Sequence, residues 1–173
     1  TQALAVGTVR ATEYTVGPSG PQAMPAELPP TSGYTYAAEL SVDEAQAAGA
    51  TTVIFSRPVF NYVENFIGFP VGSHVPSGSY DAAKAQWIPS PDGRVVAIVG
   101  VNAGLAAIDT TGDGVADDAA ALGFTDAERA ELATRYPVGQ TLWRVPLGHF
   151  SSVDHNWPRP GPPAVASEPG MDE

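Results

Sequence analysis

Short runs of β-branched and aromatic residues, parted by Gly- and Pro-rich breaks, dominate the hydropathy pattern of this chain. That spacing predicts strands. The first candidate is Val6 to Val16, broken by Gly17-Pro-Ser-Gly-Pro21, with a loop from Met24 to Gly33. Tyr34 to Leu40 reads as the next strand. Ser41-Val-Asp-Glu44 has the spacing of a capping box, in which the Ser side chain and Glu44 would satisfy backbone donors of the first helical turn. It predicts a short helix to about Ala48, stopped by Gly49. Thr51 to Phe55 and Val59 to Val63 are strands on either side of Pro58. Tyr80, Gln86 to Ile88 and Arg94 to Val101 form a meander with turns at Asp81-Ala-Ala-Lys84 and Pro89-Ser-Pro-Asp-Gly93. Arg94 to Val101 is nearly all apolar, which predicts a central strand buried on both faces. A second capping box, Thr125-Asp-Ala-Glu128, opens the clearest helix, Asp126 to Tyr136. There Glu131 and Arg135 stand one turn apart and Pro137 ends the run. Leu142 to Leu147 is the last strand.

These elements predict an all-β fold, a β-sandwich of about seven or eight strands with one or two short helical insertions. Residues 1–157 form one domain in this reading, and 158–173, Pro-rich and then acidic, form a tail or linker. The chain has 173 residues, enough for a single core. It opens on Thr1, as a processed product or an excised domain would. Its 18 Gly and 17 Pro favour many turns over a helical bundle. The net charge of −11, with only 8 Lys+Arg, argues against nucleic acid and anionic membranes as partners. No stretch has the length of a membrane span. With no cysteine in the chain, disulfide usage does not fix the compartment.

Two segments carry candidate chemistry. In Asp109-Thr-Thr-Gly-Asp-Gly-Val-Ala-Asp117, carboxylates stand at the first, fifth and ninth places and Gly114 at the sixth. A calcium ion needs several hard oxygens, and a glycine at that sixth place permits the bend that delivers them. Asp109, Thr111, Asp113, Asp117 and the carbonyl of Val115 are the predicted Ca²⁺ ligands. Thr111 is a weak ligand, and the twelfth place, where a bidentate Glu belongs, is Ala120, with Asp118 nearby. The alternative is an Asp/Gly-rich turn without metal.

The second segment is His149-Phe150-Ser151, directly after the last strand. A serine hydroxyl can attack the carbonyl carbon of its preceding residue, turning the amide into an ester that water then cleaves. Ser151 would be the nucleophile and Phe150–Ser151 the scissile bond, with His149 as base or polarising group. The plainer alternative has Phe150 in the core and His149 in a turn. Other sites have less support. No G-x-S-x-G elbow is present, Asp154 and His155 lack a second pair at zinc spacing, and no glycine-rich phosphate loop occurs. The aromatics Tyr14, Tyr62, Phe66, Phe69, Tyr80, Trp87 and Trp143 fall in or beside strands and read as core.

The runs Val9 to Gly17, Met24 to Pro30, Tyr34 to Ala45, Tyr62 to Phe66 with Phe69 to Gly72, and Leu142 to Pro146 with His149 to Ser151 and Asn156 to Pro158 resemble a module ahead of the YD repeats in large bacterial RHS-repeat proteins. The similarity covers Val6 to about Pro163. The strand order also resembles the ZU-type β-sandwich of zonula occludens, netrin-receptor and ankyrin proteins. Some members of that group self-cleave between Phe and Ser of a His-Phe-Ser motif, which His149, Phe150 and Ser151 match. In the RHS-type module an aromatic residue and a cysteine commonly follow the tripeptide; here Ser152-Val-Asp-His155 stands instead. The resemblance implies a secreted or cell-surface setting. It also implies a structural or docking role beside neighbouring domains of the same polypeptide, and possibly other protein chains. The two functions to be separated are thus a calcium-braced, non-catalytic module and a self-processing one.

Overall fold

The computed structural model describes residues 7–14, 19–29, 32–50 and 53–157. Its elements are β1 (Val9–Glu13), β2 (Ala37–Val42), α1 (Asp43–Ala47), β3 (Val53–Glu64), β4 (His74–Asp81), β5 (Gln86–Asn102), β6 (Leu105–Asp109), α2 (Asp126–Arg135), β7 (Thr141–Phe150) and β8 (Ser152–Asp154), with a 3-10 turn at Gly20–Ala23. Among the described residues the eight strands form one sheet in the order β1-β2-β8-β4-β5-β7-β3, with β6 on β5. Every pairing is antiparallel. The domain is therefore β-rich, and its strands join as a single curled sheet.

Alternation along β5 and β7 builds both faces. Val96, Ile98 and Leu142 point to one side, where Ile108, Phe124 and Leu132 of α2 cover them. Val95, Trp143 and Val145 point to the other, among Tyr36, Ala38 and Val75. Val63 of β3 packs into the same cluster as Ala38 of β2, although these strands lie far apart in the sheet order. The curl turns both strands toward the Trp143 cluster on the concave face. Trp143 is fully buried there, and its indole N–H donates to Asn65 Oδ1 at 2.9 Å, as a buried indole requires.

The inner-strand expectation for Arg94 to Val101 holds over Val95 to Ile98, which are buried where β5 lies between β6 and β7, while Arg94 and Val101 are exposed. Several boundaries differ from the sequence reading. Pro89-Ser-Pro-Asp-Gly93 is not a turn but lies inside the continuous strand β5. There the strand leaves β4 and joins β7, and a change of partner with a bulge tolerates proline. Gly93 marks the crossing: a Cβ on it would stand 2.6 Å from the Arg144 carbonyl oxygen. Likewise Pro58 does not split two strands; β3 runs through it with a register shift between Ile54 and Val59.

Ser41 belongs to β2, and α1 starts without a side-chain cap. Glu44 is diverted to accept from the Thr8 amide (2.7 Å) and hydroxyl (2.9 Å). The Thr125–Glu128 capping box forms with both bonds present. β4, β6 and β8 had at most fragmentary signals. Val6, Thr15 and Val16 of the first strand candidate, Thr51 and Thr52, and the 158–173 tail lie outside the described residues. No described helix is long and apolar enough to cross a membrane.

Candidate functional site

The Asp-rich loop leaves β6 at Asp109, which is 2% exposed. Its Oδ1 accepts from the amides of Thr111 (2.8 Å) and Gly112 (2.7 Å) and from the Thr111 hydroxyl (3.2 Å). Its Oδ2 accepts from the Gly114 amide at 2.8 Å. Gly112 and Gly114 have φ of 89° and 79°, the left-handed region that glycine enters without steric cost. Those two residues wrap the backbone around the carboxylate. Gly112 is also pressed against the turn before β4: a Cβ on it would stand 2.9 Å from the Val71 carbonyl oxygen. Burial pushes the Asp109 carboxyl up, but the amide donors of Gly112, Thr111 and Gly114 outweigh it and hold it below the usual carboxylate range.

The other predicted ligands lie around this centre. Asp117 Oδ2 accepts from the amide and hydroxyl of Thr110, both at 2.7 Å, and its own amide donates to Ile108 O. Asp113 Oδ1 accepts from the Val115 amide at 2.8 Å, and both residues face solvent. The predicted ligands Asp109, Thr111, Asp113, Val115 and Asp117 thus lie on one short turning segment. As placed, each carboxylate already accepts from backbone donors. Among the described residues no three His, Cys, Asp or Glu side chains converge on a point.

The His149-Phe150-Ser151 tripeptide closes β7. His149 pairs with Ile54 and Phe150 with Val53 on β3. Phe150 packs against the Leu40, Leu147 and Val153 cluster and meets Phe55 edge-on at 4.7 Å. Ser151 sits in the bend between β7 and β8. Its hydroxyl donates to Ser152 O at 3.0 Å, and its carbonyl accepts from Leu40 N at 3.1 Å. The peptide bonds here are trans and none of the three residues has a positive φ. Phe150 is an anchoring side chain in this arrangement, and the Ser151 hydroxyl is turned toward the following residue.

Three polar residues that hydropathy alone does not single out lie just beyond. Asp154, His155 and Asn156 are all buried. The His155 ring stacks on Tyr36 at 5.7 Å with planes 9° apart, and its Nε2 is 3.4 Å from Asn61 Nδ2. Burial lowers the His155 pKa to about 4, and burial raises that of Asp154. Asn156 stitches the segment to the residues leading into β2: its Oδ1 accepts from the Thr35 and Tyr36 amides, and its Nδ2 donates to Asp154 Oδ2 at 2.9 Å. Three consecutive polar side chains buried at a strand end leave no periodic trace in the sequence.

An open cleft of about 620 Å³ lies between the loop and β5–β7, lined by Phe60, His74, Asp92, Arg94, Phe124 and Arg144 among others. Its floor is the Arg144 guanidinium, held between the rings of Phe60 (3.3 Å) and Phe124 (3.8 Å) and paired with Glu128 at 2.9 Å. Tyr62 donates to the same Glu128 at 2.6 Å, and burial raises its pKa. The Arg144 charge is thereby balanced inside the protein. Compared with family models, curated proteins and solved structures, the chain finds no match.

Proposed function

We propose that this chain is a non-catalytic structural and interaction module of a secreted or cell-surface RHS-type protein, braced by calcium at the Asp109–Asp117 loop. The observation that carries the reading is the wrapping of left-handed Gly112 and Gly114 around the buried Asp109 carboxylate. That turn gathers oxygens along one short segment, which is what a calcium loop requires. Asp113 and Val115, both at the solvent side, would swing onto the ion, joined by Thr111 and Asp117. The curled sheet, with Ala38 of β2 and Val63 of β3 both in the cluster around Trp143 on its concave face, is read as an open relative of the ZU-type sandwich. Its partners would be neighbouring domains of the same polypeptide, and possibly other chains.

Calorimetric titration of chelator-treated protein with calcium chloride tests this. Binding of one ion, lost in Asp113→Ala, is expected. Absence of heat at millimolar calcium would leave a loop braced by its own hydrogen bonds and would end the calcium reading.

The self-processing alternative is favoured by one feature: the Phe150–Ser151 bond falls at the bend between β7 and β8, where the ladder is interrupted. Ser151 attack, assisted by His149, would leave an N-terminal piece ending at Phe150. β8 would stay paired with β2 and β4, so native size would not change. Denaturing mass measurement separates the two readings. Two fragments abolished by Ser151→Ala would establish cleavage, and a single full-length species after days at neutral pH would exclude it.

A further inference from the structure

β1 and β8 both run antiparallel to β2, so they run parallel to each other with β2 between them. Val9 lies opposite Val42, and Asp154 lies opposite Ala37. The chain therefore enters β1 at one end of β2 and leaves β8 at the other. Tension along the chain slides β1 and β8 in opposite directions over β2. Because the ladder bonds lie perpendicular to the strands, such tension loads them together in shear.

The two interfaces differ. β8 is flanked by β2 and β4, and Val153 to Asn156 are buried. It is further secured by His155 N to Tyr36 O at 2.8 Å and by Gly33 N to Trp157 O at 3.0 Å. Every residue of β1 is exposed, and its ladder is to β2. Its rim is tied by Arg10, which grips both Asp43 oxygens (2.9 and 2.6 Å), and by Thr8, which binds Glu44.

We infer that β1 is a shear-loaded latch that sets the force at which this domain yields to tension. While β1 holds, the load crosses β2 to β8 sideways. Once β1 slips, the load reaches β2 at Ala37, the end that lies beside Asp154. β2 then peels from β8 one pair at a time, at lower force than the latch withstood. This mechanical role deepens the structural-module reading and depends neither on calcium nor on Ser151.

Single-molecule pulling on the whole chain, through handles at its two ends, tests it. Thr12 lies opposite Glu39 and both are exposed; the chain has no cysteine, so Thr12→Cys with Glu39→Cys supplies one disulfide across the latch. In the reduced form, the first and strongest event should release β1 through Tyr36, roughly 100 Å of chain less its starting separation. Oxidation should abolish that event and raise the yield force. Arg10→Ala should lower the force of the first event without changing its length. Equal yield forces in oxidised and reduced protein, or a first event of the length expected for β8, would overturn the inference. Either result leaves the calcium titration to stand or fall separately.

Discussion

Arg144 of β7 and Glu128 of α2 hold each other at 2.9 Å with side chains only 11% and 14% exposed. The pair joins the helix to the sheet at the base of the cleft. Removing one member strands the other charge inside, a change that costs about 3–5 kcal/mol. Glu128→Ala should therefore lower the urea-unfolding free energy by about that much. It also loses the capping-box bond to Thr125 N. Glu128→Gln, whose single carbonyl oxygen can still accept from Tyr62 or from Thr125 N but not from both, should cost less. Both variants remove the carboxylate charge, so equal losses would assign the whole cost to the stranded Arg144 charge and none to the hydrogen bonds that Gln keeps.

Asp109→Ala should destabilise the loop strongly. It removes the acceptor for the amides of Thr111, Gly112 and Gly114, and although these exposed residues can turn to water, each lost bond costs about 0.5–1.5 kcal/mol. The folded carboxyl lies below its ordinary value, so its stabilisation is fully present above the unfolded pKa. It is lost as pH falls through the lower folded pKa. Denaturant midpoints across the acid range should show that loss in the parent protein and not in the Asp109→Ala variant.

His155 gives a second pH dependence, in a different window. Its pKa falls from 6.5 unfolded to about 4 folded. Its stabilising contribution is complete above 6.5 and disappears as pH drops toward 4, by roughly 3 kcal/mol at most. Asp154 works in the opposite sense: its raised folded pKa favours the fold at lower pH and loses that contribution as pH rises through the raised value. His155→Phe, which retains a ring to stack on Tyr36, should flatten the stability profile between pH 6.5 and 4. An unchanged slope would mean that His155 is protonated in the folded state.

Gly93→Ala should cost about 1–3 kcal/mol by overpacking. The new methyl would meet the Arg144 carbonyl oxygen and the Val145 Cα at 2.6 and 3.0 Å, backbone atoms that cannot turn aside. Gly148→Ala, whose added methyl meets nothing within 4 Å, is the matched control on β7.

The clearest helix was legible because its cap is local. Thr125 and Glu128 satisfy each other's backbone within one turn, whatever the rest of the chain does. Ser41 and Glu44 have the same spacing and fail, because Thr8, distant in sequence, outbids the local bond and Ser41 is taken into β2. Central strand β5 was legible from its apolar run, but its passage through Pro89 and Pro91 was not. Which strand flanks it at those residues depends on β4 and β7, and no local pattern carries that. The Asp loop was legible as a turn from Gly112 and Gly114. The closure of Asp109 by those amides was not, because side-chain and backbone donors compete there with any ion. Asp154 and His155 were weighed only as metal ligands, and the burial of Asp154, His155 and Asn156 was not legible because hydropathy places such residues outside.

The place of β8 has a consequence for synthesis. β2 and β4 are made early, yet the strand that joins them is Ser152–Asp154. Until those residues emerge, both partners carry unpaired ladder groups and the sheet has an open seam. Closing it requires contacts across more than a hundred residues of sequence (Ala37 to Asp154), an arrangement that slows folding and prolongs the time in which bare strand edges can find other chains. Chaperone demand during expression should therefore be set by this late seam rather than by the rest of the sheet.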